Sequence, residues 1–348
     1  ELLVGEVLSL EDEDLIEEEE IVITLTNNGY IKRLANNEFR AQRRGGRGVQ
    51  GMGVHNDDFV KNLVSCSTHD TLLFFTNNGK VYRAKGYEIP EYGRTAKGIP
   101  IINLLGIDSS EKIQAIIAVT GQAEEGHYLF FTTRQGTVKR TTVTAFANIR
   151  SNGLIAIGLK EDDELVNVLL TDGRSNIIIG THNGYSVTFS EEAVRDMGRT
   201  ASGVRGIRLR EEDYVVGAAL MNEDHEVLII TEKGYGKRTK VSEYPVKGRG
   251  GKGIKTANIT EKNGPLAGLA TVVGDEDIML ITDKGVIIRF NVATVSQTGR
   301  ATLGVRLIKM EADTKVVTMA TVEPESPEEP TSEEVDASTE TTDDQSEE

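Results

Sequence analysis

Residues 21–33 read IVITLTNNGYIKR, two apolar runs joined by a turn that ends in Gly29. Related stretches occupy residues 71–83 (TLLFFTNNGKVYR), 128–140 (YLFFTTRQGTVKR), 177–189 (IIIGTHNGYSVTF), 226–238 (EVLIITEKGYGKR) and 278–290 (IMLITDKGVIIRF). Their β-branched and aromatic residues are typical of strands. An Asn-Gly pair, as in Asn28-Gly29, favours a type I′ hairpin turn, in which both turn residues have positive φ. The sequence therefore predicts six β-hairpins.

The hairpins belong to a repeat of 48 to 57 residues, measured between the turn glycines Gly29, Gly79, Gly136, Gly184, Gly234 and Gly285. A threonine stands three residues before each of these glycines. After each hairpin come a second glycine, a short apolar run, an acidic turn and one more strand-like stretch, such as DDFVKNLVSC at residues 57–66. Each unit therefore predicts about four short strands, which is typical of a propeller blade. We expect an all-β, propeller-like disc of six four-stranded blades over residues 21–322.

The charge is distributed unevenly along the 348 residues, whose net charge is −16. Residues 1–20 hold ten acidic and no basic residues, and residues 323–348 hold twelve acidic and no basic residues. Residues 21–322 hold the remaining 33 acidic residues and all 39 basic residues, so this part of the chain carries a net charge of +6. We expect residues 1–20 to be an acidic linker that leads into the first strand. Residues 323–348, rich in Pro, Ser, Thr and Glu, are expected to be a disordered acidic tail.

Basic residues recur at fixed offsets from the turn glycines. An arginine lies four residues after the glycine in five units and fifteen residues after it in five units. Equivalent positions of successive blades form a ring, so these side chains predict a basic rim, which suits a polyanion such as duplex DNA. The alternative is that the side chains simply solvate exposed strands and loops. The predicted rim comprises Lys32, Arg33, Arg83, Arg94, Lys97, Lys139, Arg140, Arg150, Arg199, Arg205, Lys237, Arg238, Arg249, Lys252, Arg289 and Arg300.

The densest basic motif is QRRGGRG, formed by Gln42, Arg43, Arg44, Gly45, Gly46, Arg47 and Gly48. Glycines between guanidinium groups let the backbone approach phosphates while the arginines bind them, although a merely flexible loop is the alternative. Residues 247–253 (KGRGGKG) are related. Both stretches match the dinucleotide pattern G-x-G-x-x-G, but neither is expected to end a parallel strand and open a helix, as that fingerprint requires.

QRRGGRG in the first of six β units resembles the signature box of the C-terminal domains of the DNA gyrase A subunit family, and the similarity extends over residues 1–322. The resemblance implies a six-bladed β-pinwheel, which differs from a propeller in strand connection. It further implies a domain that wraps duplex DNA around a basic rim, nearly independently of sequence and with a positive crossing sense. In the family, the box locks the wrap between the first and last blades, and the ATP-dependent type II topoisomerase introduces negative supercoils.

The family resemblance also implies the partners. They are the gyrase B subunit, in an A2B2 holoenzyme, together with the rest of the gyrase A subunit, located in the bacterial cytoplasm with the nucleoid. ATP and Mg²⁺ would belong to other parts of that holoenzyme, so no cofactor or metal is expected in this chain. The start at Glu1, without an initiator Met, suggests a piece of a longer protein. The sequence contains no run of about 18 apolar residues, so it does not predict a membrane span.

Several alternatives remain open at this point. A topoisomerase IV A-type subunit carries related blades, usually with an eroded box, so the intact box favours gyrase. A six-bladed disc can instead serve as a protein-interaction scaffold, or hold an enzyme site in a central channel. No P-loop or clustered His pattern predicts catalysis, and the single Cys66 follows an apolar strand and is expected in the core. The acidic tail could compete with DNA for the rim, or only aid solubility.

Overall fold

The computed structural model describes residues 13–36, 49–50, 58–120 and 125–322. These residues form six four-stranded antiparallel sheets arranged as blades in a ring, which confirms the predicted all-β disc. The acidic tail and the signature box lie outside the described residues, as does the linker up to residue 12.

The strands of the first three units are β1 (Glu20–Thr26), β2 (Tyr30–Ala35), β3 (Val49–Gln50), β4 (Val60–Ser67), β5 (Thr71–Thr76), β6 (Lys80–Lys85), β7 (Ile99–Pro100), β8 (Ile113–Val119), β9 (Tyr128–Thr133), β10 (Thr137–Thr142), β11 (Leu154–Ile155) and β12 (Leu165–Thr171). The last three units contain β13 (Asn176–Thr181), β14 (Tyr185–Ser190), β15 (Val204–Arg205), β16 (Val215–Met221), β17 (Glu226–Thr231), β18 (Tyr235–Lys240), β19 (Ile254–Lys255), β20 (Leu266–Val272), β21 (Asp277–Thr282), β22 (Val286–Asn291), β23 (Val305–Arg306) and β24 (Val316–Val322). Short 3₁₀ turns span Gly86–Glu88, Ile101–Asn103, Val143–Phe146, Glu191–Ala193, Val241–Glu243 and Val292–Thr294.

Each blade takes three strands from its own unit and one from the next. In blade 1 the order is β4-β1-β2-β7, where β7 belongs to the second unit, and blades 2 to 5 repeat this exchange with β11, β15, β19 and β23. We call β4 and its equivalents the inner strands, because they pack against one another around the centre of the ring. The two-residue strands are the outer strands. This exchange is the change in strand connection that the family resemblance implied.

The ring closes through the same exchange. In blade 6 the outer strand is β3, from the first unit, and its backbone pairs with β22. The first and last blades are therefore joined by hydrogen bonds as well as by packing, and β3 begins at the residue that follows the signature box.

The hairpin turns differ from the predicted type I′ turn. The loop has three residues, the N–H of Gly29 donates to the carbonyl of Thr26, and Gly29 has φ 88°. Asn28 is not among the described non-glycine residues with positive φ, so the type I′ prediction was wrong. The geometry is that of a type I turn followed by a left-handed glycine.

The threonine three residues before each turn glycine stabilises this longer turn. The hydroxyl of Thr26 accepts a hydrogen bond of 3.1 Å from the N–H of Tyr30, the residue after the glycine. The same contact recurs in every unit, with Thr76, Thr133, Thr181, Thr231 and Thr282 as acceptors. The hydroxyl therefore replaces the backbone acceptor that a tighter turn would have supplied.

The core lies between the blades rather than at one centre. Ile21, Ile23 and Leu25 of β1 pack toward blade 2, whereas Val22 packs against Met279 of blade 6. Successive side chains of a strand point to opposite faces, so a strand buried on both faces reads as a continuous apolar run. One apolar cluster fills each of the six junctions between neighbouring blades. Cys66 lies in the first of these clusters and is 5% exposed, as predicted.

Candidate nucleic-acid interface

The outer edge of the disc consists of the outer strands and the loops that lead into them. Each described loop ends in a glycine with positive φ directly before its strand. Gly203, before β15, has φ 105°, and a Cβ there would lie 2.3 Å from the carbonyl oxygen of Val138. Glycine is required because the loop enters the outer strand against the backbone of the neighbouring hairpin. This requirement explains the second glycine of the repeat.

Three loop arginines make one repeated contact along this edge. Nη1 of Arg199 donates to the carbonyl of Ile155 at 3.1 Å, Nη1 of Arg249 to that of Arg205 at 2.6 Å, and Nη1 of Arg300 to that of Lys255 at 2.6 Å. Each acceptor is the second residue of the outer strand on the preceding blade. The arginines therefore link neighbouring blades. A guanidinium has five N–H donors, so these contacts use only part of its capacity.

The second residues of three successive outer strands are exposed cations. They are Arg205 in β15, Lys255 in β19 and Arg306 in β23. Of these, only Arg205 was predicted from the sequence. The signal that could have found the other two is their common position, 21 residues after Gly184, Gly234 and Gly285.

Other predicted rim cations lie at or near this edge. The ammonium of Lys97 stands 3.8 Å from the centre of the Tyr30 ring. Arg94 is half-buried in the loop before β7, and Arg83, Arg150 and Lys252 are exposed.

Three predicted rim lysines are not on the surface. Lys32, Lys139 and Lys237 are fully buried, and their ammonium groups donate to backbone carbonyls of the loops that follow in the next unit. Burial lowers the pKa of Lys139 and of Lys237 to about 8. The structure therefore makes these lysines internal supports of the loops instead of accessible rim residues.

The arginines four residues after the turn glycine are also largely engaged inside the blades. Arg140 pairs with Glu191 at 3.1 Å, Arg238 with Glu226 at 2.8 Å, and the buried Arg289 with Asp277 at 2.8 Å. The physical reason is that the next unit covers this position: the backbones of Arg33, Arg140 and Arg238 form bridges to residues just before the following loop. Arg33 is half-buried. Arg289 in particular is 1% exposed, so it cannot reach a ligand outside the disc.

The signature box, Gln42–Gly48, lies outside the described residues, so its role stays a prediction. What the structure describes is its neighbour in the chain: β3 lies at the outer edge of blade 6, where the ring closes. The related stretch at residues 247–253 leads into β19 at the outer edge of blade 4.

The described residues show no features of a reactive cysteine, a metal site or a membrane-spanning helix. Burial raises the pKa of the Cys66 thiol to about 12, which keeps it protonated and unreactive at neutral pH. Within the described ranges, His, Cys, Asp and Glu side chains do not gather in groups of three that could hold a metal ion. No helix in the same part of the chain has the length and apolar character needed to cross a membrane.

Comparisons with known proteins agree with this architecture. The family profile described as DNA gyrase C-terminal domain, beta-propeller, matches residues 20–67, 70–120, 127–172, 175–220, 225–272 and 276–323. The DNA gyrase A subunit of Streptococcus pyogenes serotype M3 is 68% identical over 325 residues, and that of Staphylococcus epidermidis is 52% identical over 327 residues. Each match covers 93% of this chain.

Solved structures are similar as well. A DNA gyrase A C-terminal domain superposes with a TM-score of 0.80 at 28% identity, covering 87% of this chain and 99% of its own. The C-terminal domain of a DNA topoisomerase IV gives a TM-score of 0.67 at 29% identity, covering 89% and 95%.

The chain spans 39% of the length of the streptococcal relative and 37% of that of the staphylococcal one. The six matched segments coincide with the six units of the repeat and cover most of the chain. This protein therefore belongs to the family of DNA gyrase C-terminal domains.

Proposed function

We propose that the chain binds duplex DNA along its outer edge and wraps it around the disc. The observation that carries this proposal is the row of exposed cations at equivalent outer-strand positions, Arg205, Lys255 and Arg306, next to the loop arginines Arg199, Arg249 and Arg300. DNA carries one negative charge per about 1.7 Å of its axis, so a cationic edge that repeats from blade to blade matches a continuous polyanion.

Wrapping requires that these contacts outweigh the stiffness of DNA. Bending a site of 20–30 base pairs by 40–90° costs about 1–6 kcal/mol, and a longer wrap costs more. A single exposed cation supplies little, but cations on successive blades, together with those of the signature box, act on the same DNA segment. The contacts come from loops and two-residue strands, which suit the phosphate backbone better than the base edges. We therefore expect binding that is nearly independent of sequence.

The whole-protein role follows from the family. We propose that the chain is the DNA-wrapping part of a gyrase A subunit, which assembles with the gyrase B subunit in an A2B2 holoenzyme of the bacterial cytoplasm. In that assembly, ATP, Mg²⁺ and the cleavage chemistry belong to the other parts. The wrap feeds the adjoining DNA segment back over the cleaved gate, and its passage introduces negative supercoils. Sequence identity of 68% to a gyrase A subunit supports gyrase over topoisomerase IV.

The test combines a salt titration of DNA affinity with ligation of nicked circular DNA in the presence of the chain. We expect log K to fall steeply with log salt and the ligated circles to retain writhe of the positive sign. The variant Arg205→Glu/Lys255→Glu/Arg306→Glu should bind weakly and trap little writhe.

The matched control is Arg174→Glu, which reverses an exposed charge between β12 and β13, away from the outer edge. This variant should bind as the unaltered chain does. A DNA affinity that does not change with salt concentration, or an equal loss of affinity in both variants, would instead favour a protein-interaction scaffold.

A further inference from the structure

The buried lysines follow a period of two blades. A lysine lies three residues after the turn glycine in units 1, 3 and 5, as Lys32, Lys139 and Lys237. Units 2, 4 and 6 have Tyr82, Val187 and Ile288 at this position. Blades with a lysine at this position therefore alternate with blades that lack one, although all six blades share one fold.

Each lysine binds the loop of the next unit that carries a rim arginine. Nζ of Lys32 donates to the carbonyls of Gly93, Arg94 and Ala96 at 2.8–2.9 Å. The three N–H donors of an ammonium thus find three carbonyl acceptors, which offsets the cost of burying the charge.

The other two lysines repeat this arrangement. Nζ of Lys139 donates to the carbonyls of Ala156, Gly198 and Arg199. Nζ of Lys237 donates to the carbonyls of Gly299 and Arg300 and to the hydroxyl of Thr302. In all three copies the carbonyl of the loop arginine itself is an acceptor, so the lysine fixes the backbone from which the guanidinium extends.

The loop of the fifth unit shows the alternative construction. It faces Val187 instead of a lysine, and its backbone N–H groups donate to neighbouring segments of the chain: that of Lys247 to the carbonyl of Thr188 and that of Gly250 to the carbonyl of Gly206. Its end is held from outside, by Nη1 of the Arg210 side chain on the carbonyl of Lys252. In the loops over a lysine, an ammonium therefore binds the carbonyl of the arginine, whereas this loop is held by backbone hydrogen bonds and by Arg210.

The lowered pKa values of two of the lysines show that each lies close to its loop arginine. Arg199 contributes to lowering the pKa of Lys139, and Arg300 does so for Lys237, so each pair of cations is close enough to repel. A phosphate bound at the arginine would relieve this repulsion.

We propose that Lys32, Lys139 and Lys237 are positioning residues that hold Arg94, Arg199 and Arg300 for contact with DNA phosphates, in alternate blades of the rim. This inference rests on the proposed function. It predicts that each lysine contributes to DNA binding only through its arginine.

The test is a double-mutant cycle on DNA affinity with Lys139→Met, Arg199→Ala and the double variant. We expect each single variant to lower affinity about tenfold and to reduce the salt slope by about 0.9, the value for one phosphate contact. The double variant should lose no more than Arg199→Ala alone. Thr141→Val, which removes a buried hydroxyl without a hydrogen-bond partner on the same strand, is the matched control and should bind normally.

A lysine with a merely structural role would give the same loss in both backgrounds, and that additive result would overturn the proposal. If Lys139→Met does not fold, Thr302→Val serves instead with Arg300→Ala, because Thr302 is exposed and supplies one acceptor of Lys237. Salt-independent binding by the unaltered chain would refute the proposed function itself. Normal salt dependence with additive losses would refute the positioning role alone.

Discussion

Gly203 shows how strongly a single residue constrains the outer edge. Its φ of 105° and the 2.3 Å that would separate an added Cβ from the Val138 carbonyl oxygen leave no room for a side chain. We expect Gly203→Ala to lower the free energy of unfolding by at least about 1–3 kcal/mol, the cost of a strained backbone conformation. Urea unfolding measures this change. Gly198→Ala, five residues earlier in the same exposed loop and free of contacts within 4 Å, should change it by less than about 0.5 kcal/mol.

The buried lysine Lys139 gives the molecule a specific dependence on pH. Because burial lowers its pKa to about 8, below the value of about 10.4 in an unfolded chain, the unfolded state binds more protons between these two values. The contribution of Lys139 to stability must then rise as the pH rises from about 8 to 10. Urea unfolding at pH 7.5, 8.5 and 9.5 should show the unaltered chain gaining stability relative to Lys139→Met. A constant difference between the two proteins would contradict this prediction.

The same lysines mark where the sequence was insufficient at the residue scale. Lys32 and Arg33 are neighbours in a basic run, and an offset rule treats them alike. In the strand, however, successive side chains point to opposite faces, and the face of Lys32 is covered by the next unit. Which cations are buried therefore depends on a contact between units that no local pattern reveals.

At the scale of the element, the hairpin is the part that the sequence predicts best. Apolar runs, the turn glycine and the threonine before it are all local signals, and all six hairpins are present. The outer strand could not be assigned to its sheet, because two residues carry no periodicity and the partner belongs to the preceding unit. The turn type was also missed, since the hydroxyl contact that stabilises the three-residue loop is not encoded in the Asn-Gly pair alone.

Two equivalent hairpins differ in the burial of the same ion pair. The side chains of Asp277 and Arg289 in blade 6 are 3% and 1% exposed. Arg289 also donates to the carbonyl of Asn36, the residue that follows β2 of blade 1. In blade 5, Glu226 and Arg238 are 21% and 18% exposed. We expect Asp277→Asn to cost about 3–5 kcal/mol, because it removes the carboxylate that lies 2.8 Å from a buried guanidinium.

Glu226→Gln is the control for this hairpin pair, since it changes the same position in the preceding unit. Solvent screens that pair, so the loss should be within about 1 kcal/mol. Chemical denaturation of both variants measures the difference. Equal losses would mean that burial does not decide the strength of these pairs.

At the scale of the whole molecule, the sixfold repeat and the +6 charge of residues 21–322 together predicted a disc with a cationic edge. The closure of the ring was beyond the sequence, because it depends on β3 crossing from the first unit to the last blade. In the sequence, the signature box directly precedes this closing strand, whereas the related stretch at residues 247–253 precedes β19 of blade 4.

This position leads to the last prediction, which separates DNA binding from DNA wrapping. Removing the three arginines of the box, as Arg43→Ala/Arg44→Ala/Arg47→Ala, should weaken binding and abolish the writhe trapped in nicked-circle ligation, because the wrap no longer closes between blades 6 and 1. Lys247→Ala/Arg249→Ala/Lys252→Ala removes as many cations from the related stretch before β19. This control should weaken binding and reduce the salt slope similarly, by about 0.9 per lost phosphate contact, yet retain most of the writhe. Supercoiling by the reconstituted holoenzyme should follow the writhe and not the affinity. A box variant that supercoils fully would show that closure of the wrap does not depend on these arginines.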